Sequence, residues 1–168
     1  AMVSVLDSIN EGLTRSLHED PLVLVLGEDI LDPYGGAFKV TRGLSSQFPD
    51  RVITTPISEA GFVGVACGLA LRGFHPVVEV MFGDFSTLIV DQLVNHAAKF
   101  RWISSGRVQV PLVVRTPMGG RRGYGATHSQ SLEKLFLGVP GLKVMAPTAV
   151  GDPGELLRAA IAAPDPVF

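Results

Sequence analysis

Hydrophobic residues along this chain form two kinds of pattern, short continuous apolar runs and longer segments with helical spacing. The apolar runs predict buried strands, and they lie at residues 22–26, 52–55, 75–82, 110–115 and 142–146. Helical spacing or short helix signals lie at residues 4–17, 40–48, 58–72, 84–103, 128–138 and 149–163. This alternation of strands and helices predicts an α/β fold, with a doubly wound, mostly parallel sheet and helices on both faces. The last residues, 164–168, resemble the start of another strand, so we expect a fragment or one domain of a longer protein.

The segment at residues 54–72, TTPISEAGFVGVACGLALR, is the one around which the chain is organised. Ser58 is placed to cap the helix, and Glu59 lies in its first turn, where the helix dipole favours a carboxylate. Three glycines recur at spacings of three and four residues and share one helix face: Gly61, Gly64 and Gly68. Glycine inside a helix costs about 1 kcal/mol relative to alanine, so this face predicts the close approach of another backbone.

Polar residues follow several of the predicted strands, where open α/β sheets bind ligands. Glu28 follows the first strand, Glu59 opens the central helix, and His128 follows a loop at 118–127 that contains four glycines. Taken alone, each residue has an ordinary interpretation. Glu28 could be a solvated acid in a turn, Glu59 a favourable N-terminal glutamate on a buried helix, and His128 a loop or surface histidine. Glutamates, aromatic rings and a histidine near strand ends suit an organic cofactor better than a metal hydrolase.

Composition narrows these possibilities. The chain has 168 residues, enough for one domain with a full core, and is 46% hydrophobic but only 18% charged, which predicts large protein interfaces. A net charge of −2 gives no reason to expect nucleic acid or an anionic membrane as partner. No apolar run reaches the roughly 20 residues that a bilayer requires, and we see no signal peptide. The single cysteine, Cys67, fits a reducing compartment.

Familiar site motifs are missing from the sequence: there is no G-x-G-x-x-G after a strand, no Walker loop, no cysteine-based zinc spacing and no G-x-S-x-G. The motifs that are present resemble one family along essentially the whole chain. They are GED (27–29), GGAFKVTRGL (35–44), TTPISEAGFVG (54–64), ALRGFHPVVEVMFGDF (70–85), DQLVNHAAKFR (91–101), VPLVVRTPMGG (110–120), HSQS (128–131) and PGLKVMAPT (140–148).

The family is that of the beta subunits of thiamine-diphosphate-dependent 2-oxo acid dehydrogenases, of the pyruvate, branched-chain and acetoin types. The resemblance covers the N-terminal, pyrimidine-binding, transketolase-like domain, which we assign to residues 1–168. The family's C-terminal transketolase-like domain would begin beyond Phe168. The resemblance implies an oxidoreductase that decarboxylates a 2-oxo acid and reductively acylates a lipoyl carrier.

The resemblance gives Glu59 a catalytic role. The family's helix pattern is a glutamate followed by spaced glycines, and it is intact here as Glu59, Gly64, Val65 and Gly68. In the family this glutamate hydrogen-bonds N1′ of the cofactor's aminopyrimidine. A proton shared with N1′ favours the 4′-imino tautomer, whose nitrogen removes the proton from thiazolium C2.

Other site residues follow from the same resemblance. Phe85 matches the aromatic residue that stacks on the pyrimidine, and Met81 and Phe82 would line the same pocket, unless they are ordinary strand-end core. Glu28 joins these cofactor-binding candidates. His128 matches the active-site histidine, which orients the 2-oxo acid or handles protons. Arg121 and Arg122 lie in the preceding loop and would face substrate or partner.

The resemblance also implies what this chain lacks. Family members hold the diphosphate through Mg²⁺ on a Gly-Asp-Gly…Asn motif, and neither GDF (83–85) nor GDP (151–153) fits it. The cofactor would therefore lie between this chain and an alpha subunit in an α2β2 heterotetramer, with a second beta subunit and a lipoyl-bearing acyltransferase as further partners. Some relatives bind structural potassium through backbone carbonyls, at positions matching Leu112, Ala160, Ile161, Ala163 and Asp165. The expected location is cytoplasmic, or the mitochondrial matrix in a eukaryote.

Two alternatives remain open at the level of the sequence. One is a noncatalytic oligomerisation or regulatory module of the same fold, against which the Glu59 helix and His128 argue. The other is a fragment of a transketolase or deoxyxylulose-phosphate synthase, which shares the fold and the glutamate. The histidine-serine-glutamine loop and the Gly-Glu-Asp turn favour the dehydrogenase.

Overall fold

A four-stranded parallel sheet forms the centre of the computed structural model, which describes residues 4–120 and 122–168. The strands are β1 (Val23–Gly27), β2 (Val52–Thr54), β3 (His75–Glu79) and β4 (Val113–Arg115). Their spatial order is β2-β1-β3-β4, so that the first strand is central and the chain crosses over it between β2 and β3. Gly27 at the end of β1 pairs with Thr54 on one side and Glu79 on the other, which aligns the carboxyl ends of three strands.

Helices cover both faces of the sheet. The regular helices are α1 (Val5–Glu19), α2 (Leu44–Gln47), α3 (Glu59–Leu71), α4 (Ala98–Ile103) and α5 (Pro153–Ile161). The chain from β3 to α4 is also helical, with a 3₁₀ stretch at Gly83–Ile89 and a wider π-helical stretch at Gln92–Ala97. A single 3₁₀ turn lies at Glu133–Leu135. Within the described ranges, no helix combines the length and the apolarity needed to cross a bilayer.

Two apolar cores lie on opposite faces of the sheet, because successive strand residues point to opposite sides. Val77 on β3 belongs to the core under α1, α2 and α5, whereas its neighbour Val78 belongs to the core under α3 and the helical segment before α4. Val113 and Val114 on β4 divide in the same way. The predicted fold class, a parallel α/β sheet with helices on both faces, is therefore confirmed.

Most predicted elements are present, with boundaries moved by local chemistry. The helix predicted at 149–163 begins only at Pro153, because Gly151 has a φ of +88° and the Asp152 carboxylate caps the amides of Gly154 and Glu155. The apolar pattern of this segment predicts that Leu156 points inward, but the side chain is 36% exposed. The helix predicted at 40–48 is reduced to α2, because Gly43 precedes it in the left-handed region.

The strand predicted at 142–146 is wrong as a full strand. Only Lys143 forms a bridge, a parallel one to Val167, and Val167 also bridges Val113 of β4. The strand start predicted at 164–168 thus lies between β4 and Lys143. Ser58 precedes α3, but its side chain makes no capping hydrogen bond. Its hydroxyl instead leaves no room for a side chain at Gly61, where an added β-carbon would lie 2.8 Å from Ser58 Oγ.

Candidate functional site

The carboxyl edge of the parallel sheet brings together most of the candidate residues. Glu28 directly follows β1, Glu59 begins α3 shortly after β2, and the turn containing Met81, Phe82 and Phe85 follows β3. Parallel strands that end in the same direction deliver their following residues to one edge, which is where ligands bind in such sheets. The topology therefore supports the placement that the sequence predicted.

Glu28 and Glu59 form a buried carboxylate pair at this edge, 5% and 6% exposed respectively. Burial first, and then the charge of Glu59 and a hydrogen bond to it, raise the pKa of Glu28 from 4.5 to about 7. One oxygen of Glu28, Oε1, is buried without a hydrogen-bond partner, and so is the hydroxyl of Thr55 at the end of β2. Buried polar atoms are almost always hydrogen-bonded in proteins, so these orphaned groups indicate a ligand that supplies their partners.

A third buried acid, Glu79, supports this edge from the end of β3. It forms an ion pair with Arg115 at the end of β4, and it is only 4% exposed. Gly27 and Gly36 both pack against Glu79: an added β-carbon would lie 2.8 Å from the Glu79 carbonyl oxygen at Gly27, and 2.9 Å from Glu79 Oε1 at Gly36. Glu79 thus lies between the Glu28 turn and the loop that carries Phe38. Sequence reasoning missed this pair, although two charged residues inside apolar strands were a visible signal.

An aromatic cluster surrounds His128. Its imidazole ring centre lies 4.7 Å from that of Phe82 and 5.2 Å from that of Phe85, both in edge-to-face geometry. Phe38 and Tyr124 extend the cluster, with ring centres 5.4 Å and 5.6 Å from Phe82. The structure therefore brings His128 against Phe82 and Phe85, from which it is more than forty residues away in the sequence. Phe38 and Tyr124 were not among the predicted site residues.

Hydrogen bonds fix the loop that carries His128. The Thr127 hydroxyl lies 3.0 Å from His128 Nδ1 and hydrogen-bonds to it. Because this bond occupies Nδ1, the other ring nitrogen, Nε2, is the one left for contact with a ligand. Two residues further, the Gln130 side-chain amide donates to the buried carboxylate of Asp84 at 2.7 Å. Asp84 and Gln130 were not predicted as site residues, although Asp84 adjoins Phe85 and Gln130 lies two residues after His128.

The remaining candidates are less tightly placed. Met81 is half-buried at the end of β3, next to Phe82. The Arg122 guanidinium lies over the Phe38 ring, 5.6 Å from its centre, so this arginine packs on the aromatic cluster. Arg121 lies outside the described residues.

The positions matched to a potassium site have other bonding partners. The Leu112 carbonyl accepts the amide of Val167 at 2.9 Å, and the Ala160 carbonyl accepts that of Ala163 at 3.2 Å. The Asp165 carboxylate pairs with Arg101 at 2.7 Å. A carbonyl oxygen has a second lone pair, and the Arg101 ion pair involves only the side chain of Asp165, so potassium at these carbonyls stays a prediction. Over residues 4–120 and 122–168, no group of three or more His, Cys, Asp or Glu side chains is arranged to hold a metal ion.

Comparison with known proteins places this geometry in context. The family model described as "Transketolase, pyrimidine binding domain" matches residues 1–168. The beta-1 subunit of the mitochondrial pyruvate dehydrogenase E1 component of Arabidopsis thaliana is 45% identical over 166 residues, 98% of this chain and 46% of that protein. The beta subunit of 3-methyl-2-oxobutanoate dehydrogenase of Mycobacterium tuberculosis is 45% identical over 167 residues, 99% of this chain and 48% of that protein.

A third relative is the beta subunit of the acetoin:2,6-dichlorophenolindophenol oxidoreductase of Bacillus subtilis, 42% identical over 99% of this chain and 52% of that protein. Among solved structures, a split-gene transketolase described as an inactive beta4 tetramer superposes with a TM-score of 0.77 at 21% identity, covering 99% of this chain and 50% of that one. The chain thus spans about half the length of the curated relatives it matches. These names confirm the resemblance to beta subunits of the pyruvate, branched-chain and acetoin types.

Proposed function

Because the chain belongs to the family of transketolase pyrimidine-binding domains, we propose that it supplies the pyrimidine-facing half of a thiamine diphosphate site in the beta subunit of a 2-oxo acid dehydrogenase. One observation carries the proposal: the buried pair of Glu28 and Glu59 retains an unpartnered oxygen at the ligand-binding edge of the sheet. An aminopyrimidine has ring nitrogens and an amino group, which are the hydrogen-bonding partners that such a pair lacks.

When bound, thiamine diphosphate would supply the electron sink that decarboxylation of a 2-oxo acid requires. The contribution of this chain is to hold a proton at the pyrimidine. Glu28 has a pKa of about 7 and keeps its proton to higher pH than an ordinary glutamate, so it can donate to Glu59 near neutrality. The Glu59 carboxylate then faces the ring nitrogen in a buried setting, where a shared proton is not lost to solvent.

The aromatic cluster supplies the second half of the proposal. Phe85, Phe82 and Met81 would pack against the pyrimidine ring and exclude water from it, because their side chains are partly buried and partly open at this edge. His128 stands between the two phenylalanines with Nδ1 engaged by Thr127. Its Nε2 would orient the 2-oxo acid or exchange a proton with it.

The site is incomplete without a partner. Neither GDF (83–85) nor GDP (151–153) supplies the motif that holds Mg²⁺ and the diphosphate. We therefore assign those groups to an alpha subunit, in an α2β2 heterotetramer that acts with a lipoyl-bearing acyltransferase. The cytoplasm, or the mitochondrial matrix of a eukaryote, is the compartment that goes with this proposal. Potassium at Leu112, Ala160, Ile161, Ala163 and Asp165 stays a prediction.

The decisive experiment measures CO₂ release from pyruvate and branched-chain 2-oxo acids, and acetaldehyde release from acetoin. The sample is the full-length subunit reconstituted with its alpha partner, thiamine diphosphate and Mg²⁺, with a lipoyl-bearing domain as the acyl acceptor. Glu59→Gln keeps the size of the side chain but cannot exchange the proton, so we expect kcat to fall by roughly 10²- to 10⁴-fold, the usual contribution of a general acid or base. The substrate that is turned over identifies the dehydrogenase type.

A matched control is Glu11→Gln, which makes the same chemical change on the exposed surface of α1 and should leave turnover unchanged. An assembled tetramer in which Glu59→Gln turns over as fast as the parent would overturn the proposed mechanism. An assembled parent enzyme with no turnover on any substrate would favour the noncatalytic module. Turnover of ketose phosphates instead of 2-oxo acids would favour the transketolase alternative.

A further inference from the structure

Asp84 is a buried carboxylate that the proposed chemistry does not use. It is 7% exposed, and it lies in the turn after β3, between Phe82 and Phe85. Its Oδ1 atom accepts two hydrogen bonds from Gln130, one from the side-chain amide at 2.7 Å and a longer one from the backbone amide at 3.4 Å. No salt bridge involves Asp84 in the described part of the chain, so Gln130 is the partner that offsets the cost of burying this charge.

Both ends of the glycine-containing loop are attached near this turn. At its start, the Gly83 amide donates to the Pro117 carbonyl at 2.9 Å, and the Met118 side chain packs so closely on Gly83 that a β-carbon would clash with it. At its end, the Gly119 amide donates to the Gln130 carbonyl at 3.2 Å. Most of the residues between these attachments are exposed to solvent. The loop is therefore held by contacts at its two ends and, between them, by the packing of Tyr124 on Phe82 and of Arg122 on Phe38.

His128 lies two residues before Gln130, and its ring packs on Phe82 and Phe85, the two aromatic neighbours of Asp84. The bond between Gln130 and Asp84 thus fixes the main chain immediately after the histidine to the same turn that supplies its aromatic contacts. A hydrogen bond to a charged acceptor is among the stronger ones in proteins. Loss of this bond would leave only the Gly119 amide to hold Gln130 and would loosen the histidine against both rings.

We propose that Asp84 and Gln130 are positioning residues, which together form a latch that seats His128 against Phe82 and Phe85. The catalytic consequence rests on the proposed function of His128. The latch itself is a property of this chain, and it is measurable without cofactor or partner. The two residues can exchange roles by substitution, because an amide at position 84 and a carboxylate at position 130 would again provide one donor and one charged acceptor.

The test compares three variants of the chain. Gln130→Glu places two carboxylates at hydrogen-bonding distance and should open the latch. Asp84→Asn combined with Gln130→Glu should close it again with the roles exchanged. Asp84→Ala removes the acceptor. The readouts are hydrogen exchange of the amides at 119–130 and the rate at which diethyl pyrocarbonate modifies His128, both by peptide mass spectrometry. His96, which is exposed, serves as the internal reference for the reagent.

We expect Gln130→Glu to accelerate both loop exchange and His128 modification about tenfold or more, as for the loss of one hydrogen bond to a charged acceptor. The double variant should return both rates to within a few-fold of the parent. Because Gln130 is exposed, its variants will fold even if Asp84→Ala does not. Unchanged exchange and His128 reactivity in Gln130→Glu, or a double variant as open as the single one, would overturn the latch.

In the reconstituted enzyme, Gln130→Glu should lower kcat and the double variant should restore it, while KM changes less. The two proposals can fail separately. If the thiamine proposal is wrong, exchange and modification still report the latch. If the latch is wrong, Glu59→Gln still tests the thiamine proposal.

Discussion

Glu28 shows how a single side chain can link the site to the stability of the fold. Its pKa is about 7 in the folded chain against 4.5 as a free side chain, because burial and the Glu59 carboxylate disfavour its ionised form. Between these two values the folded state therefore binds more protons than the unfolded state. Stability must fall as the pH rises through this window, and the shift has no effect below it.

We predict that the free energy of unfolding of the parent chain falls by roughly 1 to 3 kcal/mol between pH 4.5 and 7.5 through this group alone. Glu28→Gln removes the titration and should flatten that fall. The measurement is urea unfolding at both pH values, with Glu11→Gln on exposed α1 as the matched control. A Glu28→Gln chain with the same pH dependence as the parent would show that this carboxyl titrates normally.

At this scale the sequence provides candidates for the site residues but not for the residues that support them. Glu28, Glu59, His128 and Phe85 could be predicted because they follow strand ends or match a motif. The buried pair of Glu79 and Arg115 was missed: two charged residues within apolar strands were visible in the sequence, but only the register of β3 and β4 shows that they pair. The latch at Asp84 depends in the same way on a contact across 46 residues.

Glycines distinguish two kinds of helix contact in this fold. Gly12 of α1 faces Gly154 of α5, and a β-carbon added to Gly12 would lie 2.7 Å from the Gly154 carbonyl oxygen. On α3, by contrast, Gly64 and Gly68 have nothing within 4 Å of the position where a β-carbon would be. Among the described residues, the backbone contact that the sequence predicted for the glycines of α3 is therefore absent at Gly64 and Gly68, and a close contact occurs between α1 and α5 instead.

This difference predicts that alanine at the two positions changes the free energy of unfolding in opposite directions. Gly12→Ala should destabilise the chain by about 1 to 3 kcal/mol, because it overpacks a backbone contact that cannot move freely. Gly68→Ala should stabilise the isolated chain by up to about 1 kcal/mol, because alanine is the better helix former and has room. Chemical denaturation of the two variants beside the parent measures both effects. Equal stabilities for Gly12→Ala and the parent would contradict the packing described for α1 and α5.

Helix and strand types were predictable from periodicity, but their ends were not. α5 begins where Asp152 caps it, four residues later than the apolar pattern indicates, because a capping carboxylate and a glycine with positive φ determine the first turn. Residues 142–146 have the composition of a strand, yet only Lys143 forms a bridge, with one further main-chain bond from the Met145 amide to Phe168. Strand formation there depends on which backbone lies alongside, and composition does not encode that neighbour.

For the whole molecule, the glycine face of α3 and the incomplete site indicate the same requirement for a partner. Gly64, Val65, Gly68 and Leu71 form an exposed face next to Glu59, and Val65 is 58% exposed. An exposed apolar face lined by glycines allows another backbone to approach closely. A partner packed on α3 would also be placed beside Glu59, where the proposed site needs the groups that this chain lacks.

We therefore predict that Gly68→Met blocks assembly of the full-length subunit with its alpha partner while leaving the fold of the chain intact. Methionine has free space at position 68 in this structure, so circular dichroism and the unfolding midpoint should stay close to those of the parent. Sedimentation velocity should show loss of the heterotetramer. Glu11→Met adds the same side chain to exposed α1 and should assemble normally. A Gly68→Met subunit that forms the complete heterotetramer would place the partner on another surface, and the incomplete site would then have to be completed from the loops at 119–130 instead of from α3.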